Sequence, residues 1–142
     1  LTTTAFKTIA VTAAATALAT LVPVALYQGK VIDVLPDPRG PWFDSEKVTD
    51  SKSAHPLGIP DSFLGLASYS ITIALLVASR NSILARRGLR VKLIADGSLA
   101  AFNFGRQLIS FHKLCSWCSG TAVATAFMVP AANSYLNHLE EL

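Results

Sequence analysis

Four apolar stretches divide the chain, at about 8–27, 62–79, 93–111 and 114–136. A helix needs about 20 largely apolar residues to cross a bilayer core, and each stretch comes close to that length. A polar, proline-punctuated segment at 28–61 separates the first two. The pattern predicts an all-α, integral membrane four-helix bundle. Residues 1–142 would form a single four-span membrane domain, with 28–61 as its outer loop.

Within the first stretch Thr8, Thr12, Thr16 and Thr20 recur every fourth residue, which puts a small, weakly polar stripe on one side of a helix. Small residues let helices approach closely in lipid, so the stripe is expected to be a packing face. Pro23 is expected to bend or end this helix. The 28–61 segment carries Pro36, Pro38, Pro41, Pro56 and Pro60. It exceeds the about 12–15 residues of common loops, so it is expected to be functional or mobile. Trp42 and Phe43 are its large aromatics and suit either the headgroup region or a partner. Asp61 or Ser62 can cap the second helix, because each side-chain oxygen accepts from an orphan N–H. Asp96, Asn103, Arg106 and Gln107 interrupt the third stretch. Lys92 and Asp96, four apart, can pair, and Arg106 can snorkel near the outer end. Pro130 in the fourth is tolerated where neighbouring helices satisfy the freed carbonyl.

Charge orients the bundle. Arg80, Arg86, Arg87, Arg90 and Lys92 lie between the second and third stretches with no acid among them. The outer segment instead sets Asp33, Asp37, Asp44, Glu46, Asp50 and Asp61 against Lys30, Arg39, Lys47 and Lys52. The positive-inside rule makes the Arg-rich connection cytoplasmic, and four spans then place both termini there. The long outer segment and the short Phe111–Lys113 connection face outward. The chain is 51% hydrophobic and 15% charged, against about a quarter charged in soluble domains. No basic run interleaved with aromatics occurs, so no nucleic-acid partner is expected. The first apolar stretch is too long for a cleaved signal peptide. The chain starts with Leu1 rather than Met, which leaves processing or an incompletely defined start open.

The only cysteines are Cys115 and Cys118, in Cys115-Ser116-Trp117-Cys118 at the head of the fourth stretch. Cysteines three apart share a helical face and can close a small disulfide. The positive end of a helix dipole favours the thiolate, the nucleophile in exchange, and Lys113 adds to that effect. His112 can carry protons near neutral pH. A dithiol at the mouth of a membrane helix can pass electrons between protein thiols and a molecule dissolved in the bilayer. Such cysteines can also be inert packing residues. A zinc site needs two more ligands, with His112 and His55 as the nearby candidates, and no metal is expected. Trp117 is either an interfacial anchor or an aromatic wall for a ring-shaped substrate.

The run His112-Lys113-Leu114-Cys115-Ser116-Trp117-Cys118-Ser119-Gly120-Thr121-Ala122 resembles the signature of bacterial vitamin K epoxide reductase homologues. Gly58-Ile59-Pro60-Asp61-Ser62-Phe63-Leu64-Gly65-Leu66, with Tyr69 on the next turn, is similar to that family's start of the second full helix. Gly97 and Gln107 fall where its third helix has similar residues. The resemblance implies a bundle surrounding a quinone, menaquinone or ubiquinone. It implies that Cys118 faces the quinone, that Cys115 exchanges disulfides with other thiols, and that Asp61 and Ser62 orient the ring. Trp117 would stack near it. The implied activity is thiol oxidation coupled to quinone reduction. The implied partner is a thioredoxin-like or other periplasmic dithiol protein. The implied location is the bacterial inner membrane, multi-pass, with the dithiol on the periplasmic side.

Two departures accompany the resemblance. The family usually carries a second cysteine pair after its first helix, and 28–61 has no cysteine. Some members carry a Tyr one turn after the second cysteine, where this chain has Ala122. A carboxyl at Asp61 would hydrogen-bond a quinone oxygen only when protonated. These departures keep an alternative open, a non-catalytic accessory subunit of a larger membrane electron-transfer or photosynthetic complex. A redox-sensing module is a third class.

Overall fold

The computed structural model describes residues 2–141; Leu1 and Leu142 lie outside the described residues. The long helices are α1 (Thr3–Gln28), α3 (Asp61–Ala78), α4 (Ile83–Arg106) and α5 (Ser116–Glu140), with a short α2 (Ser45–Thr49) between α1 and α3. α1 and α4 each pack against both α3 and α5, which closes an all-α bundle. Among the described residues no strand forms, only an isolated parallel bridge between Phe43 and Leu114.

Polarity in the bundle is arranged for lipid. Ser62, Thr72, Asp96, Gln107, Thr121 and Thr125 are buried, whereas Ile71, Val77, Ile94, Phe102, Val123 and Phe127 are exposed. A bundle in hydrocarbon gains nothing by hiding apolar side chains from its solvent, so its polar groups turn inward. α1 and α3 are each long and apolar enough to cross a membrane. The sequence of α4 is charged over its first turns, and that of α5 is broken by Ser, Thr and Asn.

Four expectations need correction. The packed face of α1 is not the threonine stripe. Thr8, Thr12 and Thr16 are exposed, and the buried face is Ala10, Ala13, Ala14, Ala17, Leu21 and Val24. Alanine allows the closest approach with no hydroxyl to satisfy, while Thr16 returns its hydroxyl to the Thr12 carbonyl at 2.8 Å. Of the stripe, Thr20 meets a partner helix, through a 2.7 Å bond to Thr121 on α5. There a Cβ added at Gly120 would lie 3.1 Å from Thr20 Cγ2, so the glycine admits the contact.

Second, Pro23 does not end α1, which continues to Gln28; Gly29 N–H donates to the Ala25 carbonyl at 2.8 Å and Lys30 N–H to the Tyr27 carbonyl at 3.1 Å. Fully buried Val24 anchors that last stretch. Third, α4 begins at Ile83 rather than near Leu93. Arg86, Arg87, Arg90 and Lys92 therefore lie on a helix, not in a connection. The hydroxyl of Ser82 caps it by accepting from Ala85 N–H at 3.2 Å, and Leu, Ala, Arg and Lys are strong helix formers. Fourth, α3 begins at Asp61 with Pro60 at its N-cap and no side-chain cap, so neither Asp61 nor Ser62 serves in that role.

Candidate active site

The segment after α1 folds back as a strap over one end of the bundle. Lys30 takes the left-handed conformation, φ 63°, as the chain turns out of α1. Leu114 N–H donates to the Trp42 carbonyl at 2.7 Å, and Asp44 N–H to the Leu114 carbonyl at 2.9 Å. The Lys113 ammonium donates to the Pro41 carbonyl. Asp37 is the polar centre. It accepts from Ser45 N–H at 2.8 Å, Ser45 Oγ at 2.5 Å and Ser116 Oγ at 2.7 Å. Partial burial pushes its carboxyl up, but the hydrogen bonds from Ser45 and Ser116 outweigh that and hold it below the usual carboxylate range. Ser116 N–H donates to Ser45 Oγ at 3.0 Å, which completes a lock on the first turn of α5.

Under this strap Val24, Leu35, Val48 and Cys115 form a hydrophobic cluster of their own. Cys115 is 0% exposed. It is the N-cap of α5, and its Sγ accepts from Cys118 N–H at 3.1 Å. Its own N–H donates to Gln107 Oε1 at 2.7 Å. Gln107 opens the π turn Gln107–Phe111 that ends α4, and that wide turn brings the amide to the dithiol.

Cys118 stands on the wall of a cavity of about 480 Å³ bounded by α1, α3, α4 and α5 and, from the strap, by Val48, Thr49 and Pro56. That volume lies in the range of about 300–1,000 Å³ typical of small-molecule sites. Leu21, Leu64, Leu99 and Phe102 give it apolar walls. Asp61, Ser62, Arg106 and Gln107 join Cys118 among the polar lining, and Ser68, Tyr69 and Asp96 form a second group. Arg106 lies 4.0 Å from Asp61 Oδ2 and 5.7 Å from the Phe111 ring. Its buried Nε has no hydrogen-bond partner among the described residues. Asp61 Oδ1 also accepts from Gln28 Nε2 at 3.2 Å, and Ser62 Oγ donates to Gln28 Oε1.

The structure thus brings Cys118, Asp61 and Ser62 to one cavity and sets Cys115 behind it, beneath the strap. Trp117 does not join them. Its indole Nε1 donates to the Pro36 carbonyl at 2.8 Å, so the ring fastens the strap instead of lining the cavity. His112 is exposed and lies outside the lining. Arg106, expected to snorkel outward, has a side chain only 12% exposed and turns to the cavity, because Asp61 and Phe111 receive it there. Arg106 and Gln28 are the members that sequence reasoning passed over. The available signal was a cation near the dithiol end of a span, since ionisable residues in a membrane generally serve a site.

No curated protein and no solved structure matches the chain. A family model described as the vitamin K epoxide reductase family matches residues 4–132, from the first turn of α1 to beyond the middle of α5. With that match over most of its length, the chain belongs to the vitamin K epoxide reductase family of membrane thiol–disulfide oxidoreductases.

Proposed function

We propose that this chain oxidises a partner dithiol and passes the electrons to a quinone. The observation that carries the reading is the division of labour between the cysteines. Cys118 lines the cavity, and Cys115 caps the same helix one turn earlier, under the strap. A helix N-cap and the residue three positions on are close enough to form and break a disulfide.

The cavity suits a quinone. It is mostly apolar, opens within the bundle, and offers the unpartnered Arg106 Nε as a donor. Arg106 and Ser62 would hold a ring oxygen, and Asp61 would fix the Arg106 guanidinium. Protonated Asp61 would itself donate. When bound, a quinone supplies a two-electron, two-proton acceptor. Cys115 exchanges with the partner thiol, and Cys118 delivers the electrons into the cavity. Ala122 lines the cavity where a larger residue would fill it.

The strap holds no cysteine, so the partner must meet Cys115 directly, which requires the strap to lift. A thioredoxin-like periplasmic protein supplies such a thiol. In this reading the chain is a single four-span domain in a bacterial inner membrane, with the strap in the periplasm and the Arg-rich end in the cytoplasm.

Turnover in detergent tests the proposal. Purified protein, a reduced dithiol donor and a soluble quinone are mixed, and quinone absorbance is followed beside a Cys115→Ser/Cys118→Ser control. Cysteine-dependent quinol formation supports the oxidoreductase. No turnover with several donors and quinones favours the accessory-subunit reading, for which the exposed Thr8, Thr12 and Thr16 face of α1 would be a contact surface.

A further inference from the structure

The second polar group of the cavity is not used by the thiol chemistry. Asp96 on α4 is 4% exposed and lines the cavity with Ser68 of α3. Lys92, one turn earlier, donates from Nζ to Asp96 Oδ1 at 2.5 Å, Ser68 Oγ at 2.7 Å and Thr72 Oγ1 at 2.9 Å. Thr72 Oγ1 donates to Asp96 Oδ2 at 2.8 Å. The Lys92 side chain is 18% exposed. Arg90, two residues before it, reaches Asn133, Asn137 and Glu140 near the far end of α5. Asp96 is ten residues before Arg106 (106 − 96). At about 1.5 Å per residue that is about 15 Å along α4, away from the dithiol.

Bundle cohesion does not call for charges here. Apolar residues of similar volume often hold a core as well as a buried ion pair does. Ionisable side chains inside a membrane span are costly, and they commonly mark paths for protons, ions or substrates. A purely cohesive cluster would be closed on all sides. This one meets the cavity through Asp96 and Ser68, and Lys92 stands two residues from Arg90 with its side chain 18% exposed.

We propose that Lys92, Asp96 and Ser68 form a proton inlet from the Arg-rich end of the bundle to the cavity. The inference rests on the thiol-to-quinone reading. Asp96 gives a proton to the reduced ring, directly or through the Ser68 hydroxyl. It takes one from the Lys92 ammonium, and Lys92 is recharged from water at the Arg-rich end. The step balances. Each dithiol oxidised releases two electrons and two protons at the strap end, and each quinol formed takes two electrons from Cys118 and two protons through the inlet. Few other titratable groups face Asp96. Lys92 does so from α4 and Tyr69 from α3. α5 contributes none between Cys118 and Tyr135, and Asp61, Arg106 and Cys118 stand across the cavity.

Asp96→Asn and Ser68→Ala, compared with the unaltered protein in detergent, test the inlet. Quinone affinity, read by quenching of tryptophan fluorescence, is expected to change far less than the rate in both. The quinol-forming rate is expected to fall roughly 100-fold in Asp96→Asn, in the range for loss of a proton-transfer group, and less in Ser68→Ala. Added formate or azide is expected to restore rate to Asp96→Asn, which a packing residue would not show. Redox-difference infrared spectra should carry a carboxyl band that Asp96→Asn removes. An Asp96→Asn protein with the full rate overturns the inlet. So does a slow one that no small acid rescues and that melts early, because that is a structural role. Ser68→Ala keeps the ion pair and guards against misfolding; a full rate in it removes the hydroxyl from the path. If the unaltered protein reduces no quinone, the underlying reading fails and takes the inlet with it.

Discussion

Two hydrophobic clusters among the described residues bury their side chains by different means. In the bundle, Ala10, Ala14 and Ala17 of α1 pack with Leu76, Met128 and Leu136 from α3 and α5. Its polar tie, between the Tyr69 and Thr125 hydroxyls at 2.5 Å, is buried between the packed helices. At the strap, Leu35 and Val48 of that segment close over Val24 and Cys115, and the rest of its hold is hydrogen bonds. Elements held by few apolar contacts and by bonds near water open at low cost, whereas a packed core opens only with the whole fold. Cys118 stands where the two regions meet, packed against the strap cluster and lining a cavity whose other walls are the bundle helices. Cys115, at the head of α5, is covered by a segment that can lift while those helices stay packed.

The comparison can be broken from either side. The largest effect is expected from Asp37→Ala, which removes the acceptor for two serines and one N–H. A hydrogen bond to a charged group is worth about 1.5–3 kcal/mol, so alkylation of Cys115 by a bulky, water-soluble maleimide should speed up roughly 10- to 100-fold. The melting temperature should change little. If Cys115 stays as slow as before, the strap is not held by Asp37.

In the bundle, Ala14→Leu overpacks the contact of α1 with its neighbours. Stability should fall by about 1–3 kcal/mol, read as earlier thermal unfolding in detergent, with Cys115 alkylation in the folded protein unchanged. Faster alkylation at temperatures well below unfolding would join the two clusters into one unit. Trp117→Phe removes one bond to the strap, worth about 0.5–1.5 kcal/mol, and should speed alkylation only severalfold. Quinone affinity should not change. A large loss of affinity would return Trp117 to the cavity wall.

Acid sharpens the same distinction with the smallest effect near neutrality. The Asp37 carboxyl is held below its ordinary value of 3.8 in the closed strap. Its contribution is then fully present above that value and is lost as pH falls through the lower, closed-state value. Cys115 accessibility, after correction for thiolate content, should be flat from neutral pH to about 4 and rise only below it. A rise around pH 6 would assign the latch to another group.

The bundle was legible in the apolar stretches because length and hydropathy alone constrain a spanning helix, and the dithiol was legible because cysteine is rare in the chain. The start of α4 was not, since Arg86, Arg87 and Arg90 read as a polar connection although they are good helix formers. The face of α1 was also misread. Threonine and alanine are both small, and only the partner helices decide that the alanines are buried. The roles of Trp117 and Arg106 depended on contacts with Pro36 and Asp61, far away in sequence, which no local pattern reports. Asp37 carried no motif at all. Its importance arises when the strap brings it to Ser45 and Ser116.

The most direct test of the division between the cysteines follows quinol formation from a dithiol donor with the single variant Cys118→Ser, beside measurement of mixed disulfide on Cys115. The account predicts that quinol formation is abolished while Cys115 still takes up a mixed disulfide from an added disulfide reagent. A Cys118→Ser protein that reduces quinone at the full rate would contradict it.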